Sequence, residues 1–104
     1  MYCKNPIERL FNDIPMPQAQ KWLEIFSWQP ASGWDDVIDY AGWKDVPSVY
    51  LCCETDGILP MALQKQLAEM AGSLIERCSA GHMVMQSQPE KVLEVIRIAA
   101  GECF

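Results

Sequence analysis

From residue 47 onward the chain alternates strand-like and helix-like patterns, and this alternation constrains the fold more than any other feature. A short, unalternating apolar run at 48–53 predicts a strand buried on both faces, and a less pronounced run at Leu74–Cys78 predicts a second. Helices are predicted at Met61–Ala71, between the strands, and at 87–100, after them. Two strands joined by a helix are normally parallel, with a right-handed crossover. The predicted class is therefore α/β, a βαβα unit with two parallel strands.

Both predicted helices carry end signals and apolar stripes. Gly72 is placed for the C-cap of the first helix. The second begins with Ser87-x-x-Glu90, which matches a capping box, and has Pro89 in its first turn. Their stripes consist of Leu63, Leu67, Met70 and Ala71 in the first helix and of Val92, Val95, Ile96 and Ala99 in the second.

The part of the chain before residue 47 is rich in Trp and Pro, with turn residues such as Asn12 and Asp13. Residues 17–28 predict a helix, because Pro17 suits a first turn and apolar residues recur at i, i+3, i+4 and i+7. A further short helical turn is predicted within residues 34–43.

Charge and cysteine usage exclude several classes of function. The formal net charge of −6 argues against binding to nucleic acid or to an anionic membrane surface, since both favour a basic patch. The N-terminus does not resemble a signal peptide, and no apolar run is long enough to cross a bilayer. Five cysteines without a C-x-x-C motif, together with one histidine, argue against a metal site. We therefore expect reduced thiols, a cytoplasmic location, no metal and no cofactor.

An acid and an imidazole follow the two predicted strands. Asp56 comes just after the first strand, and His82 just after the second. Because the carboxyl ends of parallel strands lie at one edge of a sheet, we expect the two side chains to lie close together. An Asp hydrogen-bonded to a His forms two thirds of a Ser-His-Asp hydrolase site. The alternatives are Asp56 as only a turn or helix-capping residue, His82 as a structural or solvent-exposed residue, and Glu54 as the acid.

The motifs around this pair resemble a known family. The segments 46–60 (VPSVYLCCETDGILP) and 80–90 (AGHMVMQSQPE), with Gln64 between them, resemble the C-terminal end of an α/β-hydrolase, most closely the fungal enzymes acting on esters, lactones and secondary metabolites. The resemblance implies Asp56 as the catalytic acid and His82 as the general base. It also implies a small apolar ester or lactone as substrate, residues 1–46 as a helical lid-like segment, and 47–104 as the C-terminal βαβα part of the hydrolase domain.

The serine that would complete such a site is not found in this sequence. The family carries it on a G-x-S-x-G elbow before the acid and the histidine, and no such pentapeptide occurs in the 104 residues. We therefore expect a truncated hydrolase. The alternatives are a non-catalytic interaction module and a fragment that complements a separate serine-bearing chain. Because two parallel strands leave open edges, we also expect self-association or a partner chain that covers the sheet.

Overall fold

Two parallel strands form the centre of the computed structural model, which describes residues 3–101. Strand β1 (Val49–Cys53) pairs with β2 (Leu74–Cys78), from Val49 opposite Leu74 to Cys53 opposite Cys78. The helices are α1 (Pro6–Arg9), α2 (Met16–Glu24), α3 (Met61–Ala71), α4 (Val84–Ser87) and α5 (Pro89–Ala99), and a 3₁₀ turn spans Gly42–Lys44. The predicted α/β class and the parallel pairing are confirmed.

Helix α3 has the predicted bounds but packs on the sheet through an unexpected face. Gly72 ends it in the left-handed conformation, with φ of 66°, as its C-cap position predicts. The residues it buries are Gln64 and Ala68. Leu63 and Leu67 of the apolar stripe remain 39% and 38% exposed. Small Ala68 lets the helix approach the sheet closely, while the leucines turn outward.

The N-terminal half contains less helix than its pattern predicts. The predicted helix 17–28 is observed as α2, which ends at Glu24, because the N–H groups of Ile25 and Phe26 bond to carbonyls three residues back and tighten the last turn. The helical turn predicted at 34–43 is wrong. Apart from the 3₁₀ turn at its end, this segment is irregular, and its apolar side chains are largely exposed. A short helix without packing partners has little to stabilise it.

The final helix begins differently from the prediction. Ser87 is the last residue of α4 and therefore cannot cap α5. The N-cap position is held by Gln88, with no side-chain capping bond, so the predicted capping box is wrong. Pro89 does occupy the first turn, and Gly101 follows the helix with φ of 83°.

Seven of the buried side chains form two clusters. One lies under the N-terminal helices and consists of Leu10, Phe11, Ile14 and Ala19. Phe11 stacks edge to face with Phe26 at 6.2 Å, and Met83 packs on this cluster from the loop after β2. The other cluster lies at the ends of the strands and consists of Cys53, Cys78 and Ala80. The N-terminal helices therefore contact the edge of the sheet where Asp56 and His82 lie. No helix within residues 3–101 has the length and apolar character needed to cross a bilayer.

Candidate active site

The structure brings Asp56 and His82 into direct contact. The Nδ1 atom of His82 lies 2.9 Å from Oδ2 of Asp56, although 26 residues separate them in the sequence. The Asp56 side chain is only 5% exposed, whereas that of His82 is 31% exposed. The imidazole therefore has one nitrogen against a buried carboxylate and an exposed portion that faces outward.

The Asp56 carboxylate is fixed by its own turn. Its Oδ1 atom accepts hydrogen bonds from the backbone N–H of Ile58 at 2.7 Å and of Leu59 at 3.0 Å. Burial acts to raise the pKa of Asp56, but these two backbone donors and the His82 hydrogen bond outweigh it and lower the pKa below its usual value. The carboxylate is therefore ionised at neutral pH, with its second oxygen free to orient the imidazole.

Glu54 is not the acid that contacts the histidine. Its carboxylate lies 3.9 Å from the Arg77 side chain, and both groups are largely exposed. Of the two carboxylates that follow β1, only that of Asp56 reaches His82.

The two loops that carry the pair are joined to each other by backbone hydrogen bonds. Glu54 donates to the carbonyl of Cys78 at 2.9 Å, and Thr55 donates to that of Ala80 at 3.1 Å. The Thr55 hydroxyl adds a bond to the carbonyl of Ser79 at 2.9 Å. The parallel ladder thus continues past both strands, up to the residues next to the acid and the imidazole.

Gln64 supports this edge of the sheet and was recognised in the sequence only as part of a family resemblance. Its Oε1 accepts the N–H of Cys53 at 2.8 Å, and its Nε2 donates to the carbonyls of Cys53 at 2.9 Å and Leu59 at 2.8 Å. The sequence itself carries no signal for this role, because the apolar stripe of α3 indicates a different buried face. Gln64 therefore links β1 to the turn that holds Asp56.

Gly57 is required by a close backbone approach. A Cβ at this position would lie 2.8 Å from the carbonyl oxygen of Glu8 and 3.0 Å from that of Arg9. Because both are backbone atoms, Gly57→Ala is expected to lower the free energy of unfolding by about 1–3 kcal/mol. Urea denaturation measures this, with Gly42→Ala as a control, since a Cβ at Gly42 meets nothing within 4 Å. Equal losses in the two variants would contradict the assignment.

The sequence of this chain matches a known protein family over most of its length. The profile of the Alpha/beta hydrolase family matches residues 4–95. The chain belongs to the alpha/beta hydrolase family. It is also 33% identical over 91 residues to the Alpha/beta hydrolase nvfD of Aspergillus novofumigatus, an alignment that covers 85% of this chain and 36% of that protein. The chain thus spans about a third of the length of this relative. No solved structure matches it significantly.

In an alpha/beta hydrolase the nucleophile is a serine on a G-x-S-x-G elbow, which these 104 residues do not contain. The nearby thiols do not replace it. Burial raises the pKa of Cys53 to about 12, with a further contribution from Cys78, whose Sγ lies 3.9 Å away. A thiol that stays protonated at neutral pH is a poor nucleophile. Within residues 3–101 no group of three or more His, Cys, Asp or Glu side chains is arranged to hold a metal ion.

Proposed function

We propose that Asp56 and His82 are the acid and the general base of a Ser-His-Asp hydrolase that cleaves esters or lactones of small apolar molecules. The observation that supports this is the 2.9 Å contact between Nδ1 of His82 and Oδ2 of Asp56. Membership of the alpha/beta hydrolase family agrees with it. A cytoplasmic location, which the cysteine usage indicates, stays a prediction, and so does a role in fungal secondary metabolism, which the resemblance implies.

The chemistry follows from the tautomer that the carboxylate selects. An ionised Asp56 accepts a hydrogen bond only from the Nδ1–H tautomer of His82, so Nε2 carries the lone pair. Nε2 then takes the proton of an attacking serine hydroxyl and returns it to the alkoxide leaving group. Asp56 stabilises the imidazolium that forms between these two transfers.

The nucleophile in this proposal comes from a segment outside these 104 residues, either in the same polypeptide or in a separate chain. The surface beside β1 is suited to contact with such a segment. Trp43, Tyr50, Leu67 and Met70 help to line an open, largely apolar groove of about 550 Å³. Neither Asp56 nor His82 lines it, so we assign the groove to protein packing rather than to the substrate.

The test is hydrolysis of p-nitrophenyl butyrate by the protein together with its serine-bearing segment, identified from a G-x-S-x-G motif in the surrounding reading frame or in a co-purifying chain. His82→Ala is expected to lower the rate by about 10³-fold or more, because no other histidine is present in the chain to act as base. Equal rates for wild type and His82→Ala would overturn the proposal. Stable binding of the segment without hydrolysis would instead favour an interaction module.

A further inference from the structure

We propose that Asn12 and Asp13 are positioning residues for the Asp56–His82 pair. They lie in one turn of the N-terminal segment and bond to the residue directly before each member of the pair. The inference rests on the proposed function of the pair and adds a role for a segment that the sequence indicates only as a turn.

The contacts are short and symmetrically placed. Nδ2 of Asn12 donates to the carbonyl of Thr55 at 2.6 Å, and Thr55 precedes Asp56. Oδ2 of Asp13 accepts the backbone N–H of Gly81 at 2.7 Å, and Gly81 precedes His82. Two adjacent side chains thus bridge the two loops from a third element, in addition to the backbone bonds between the loops.

Gly81 shows how closely this turn approaches the histidine loop. A Cβ at Gly81 would overlap Oδ1 of Asn12 and would lie 2.8 Å from Oδ1 of Asp13. Gly81 is itself buried. The backbone just before His82 therefore lies directly against both side chains, with no space for adjustment between them.

The turn is itself held firmly. The N–H of Ile14 bonds to the carbonyl of Phe11 at 3.1 Å, which places Asn12 and Asp13 at the two central positions of a turn. Phe11 and Ile14 are buried on either side of them, in the cluster on which Met83 packs. Because Met83 follows His82 directly, the histidine has a bonded neighbour before it and a packed neighbour after it. Such support on both sides is what keeps a side chain in a productive geometry.

His82 is the only histidine in the sequence, which makes a direct test possible in the full 104-residue chain. With ¹⁵N-labelled histidine, the ring nitrogen shifts at a pH where the imidazole is neutral report the ratio of Nδ1–H to Nε2–H tautomers. The wild type is expected to favour Nδ1–H, the form that donates to Asp56. Asp13→Ala and Asn12→Ala are each expected to move the ratio toward Nε2–H by about threefold to tenfold, the equilibrium factor of one ordinary hydrogen bond.

A conservative variant separates positioning from folding. Asp13→Asn keeps an oxygen that can accept the N–H of Gly81, so it is expected to retain the wild-type ratio. Thermal unfolding is measured in parallel for each variant. A fall in Tm for both alanine variants with an unchanged tautomer ratio would overturn the inference, because it would show that the turn serves stability alone. If Asp13→Ala does not fold, the tautomer ratio in Asn12→Ala, which alters an exposed side chain, tests the inference by the same criterion.

Asp56→Ala distinguishes failure of the inference from failure of the proposed function. Removal of the carboxylate is expected to give mainly Nε2–H. If Asp56→Ala leaves the ratio unchanged, the acid–imidazole pair is not formed and the proposed function fails with it. If Asp56→Ala changes the ratio while Asp13→Ala and Asn12→Ala do not, the pair stands and the positioning role is refuted.

Discussion

Asp56→Asn is expected to lower kcat for ester hydrolysis by about 10⁴-fold when the serine-bearing segment is present. The asparagine can keep the acceptor oxygen that holds Ile58 and Leu59, so the turn is expected to survive. The amide nitrogen, however, then faces Nδ1 of His82 and donates to it. The imidazole proton moves to Nε2, which can no longer accept the proton of a serine.

The measurement is the hydrolysis of p-nitrophenyl butyrate at saturating substrate, with Glu54→Gln as the matched control. Glu54 is the other carboxylate after β1 and lies beside Arg77 rather than His82, so Glu54→Gln is expected to leave kcat unchanged. Comparable losses for the two variants would contradict the assignment of Asp56 as the acid. Retention of most activity in Asp56→Asn would do so as well.

The same variant has a defined effect on stability. The pKa of Asp56 is lower in the folded chain than its ordinary value of 3.8, so its carboxylate stabilises the fold at pH values above 3.8. That contribution is lost as the pH falls through the lowered pKa of the folded state. The difference in unfolding free energy between wild type and Asp56→Asn should therefore shrink toward acid pH. This effect on stability comes from the charge of the carboxylate, whereas the loss of kcat comes from the change of imidazole tautomer.

The parts of the structure that follow from local pattern were predictable. Helix α3 and strand β2 have the predicted bounds, because their end signals lie within a few residues of them. The contact between Asp56 and His82 follows from one topological rule, that parallel strands end at the same edge. The predicted capping box at Ser87 is wrong because Ser87 is the last residue of a separate helical turn, α4.

The supporting contacts could not be read from the sequence, since each joins residues that only the tertiary fold brings together. The bond between Asp13 and Gly81 spans 68 residues, and that between Asn12 and Thr55 spans 43. The burial of Gln64 was equally hidden, because the apolar stripe at Leu63 and Leu67 suggests a different buried face. A polar side chain on a helix is ordinarily exposed. Gln64 is buried because its amide bonds to the backbone groups of Cys53 at the end of β1.

Gln64→Leu is expected to lower the free energy of unfolding by about 3–5 kcal/mol. The backbone N–H and carbonyl of Cys53 point away from β2, since the neighbouring Glu54 provides the bond to that strand. Gln64 binds both of these groups and the carbonyl of Leu59. Leucine fills a similar volume but leaves the N–H of Cys53 and the carbonyl of Leu59 without this partner. The carbonyl of Cys53 keeps only the N–H of Asp56, at 3.3 Å. A small domain with marginal stability is expected to show this loss as a large shift of the urea midpoint.

Two further variants on α3 identify the hydrogen bonds as the cause. Gln66→Leu makes the same chemical change at an exposed position and is expected to alter stability by no more than about 0.5 kcal/mol. Gln64→Glu keeps an acceptor for the N–H of Cys53 but, while ionised, cannot donate to the two carbonyls. Protonation of the introduced carboxyl restores one donor, and burial beside carbonyl oxygens raises its pKa, so this variant should gain stability relative to Gln64→Leu as the pH falls. Equal urea midpoints for wild type and Gln64→Leu would show that the amide does not support the edge of β1. A parallel pH dependence of Gln64→Glu and Gln64→Leu would show that its donor bonds do not matter.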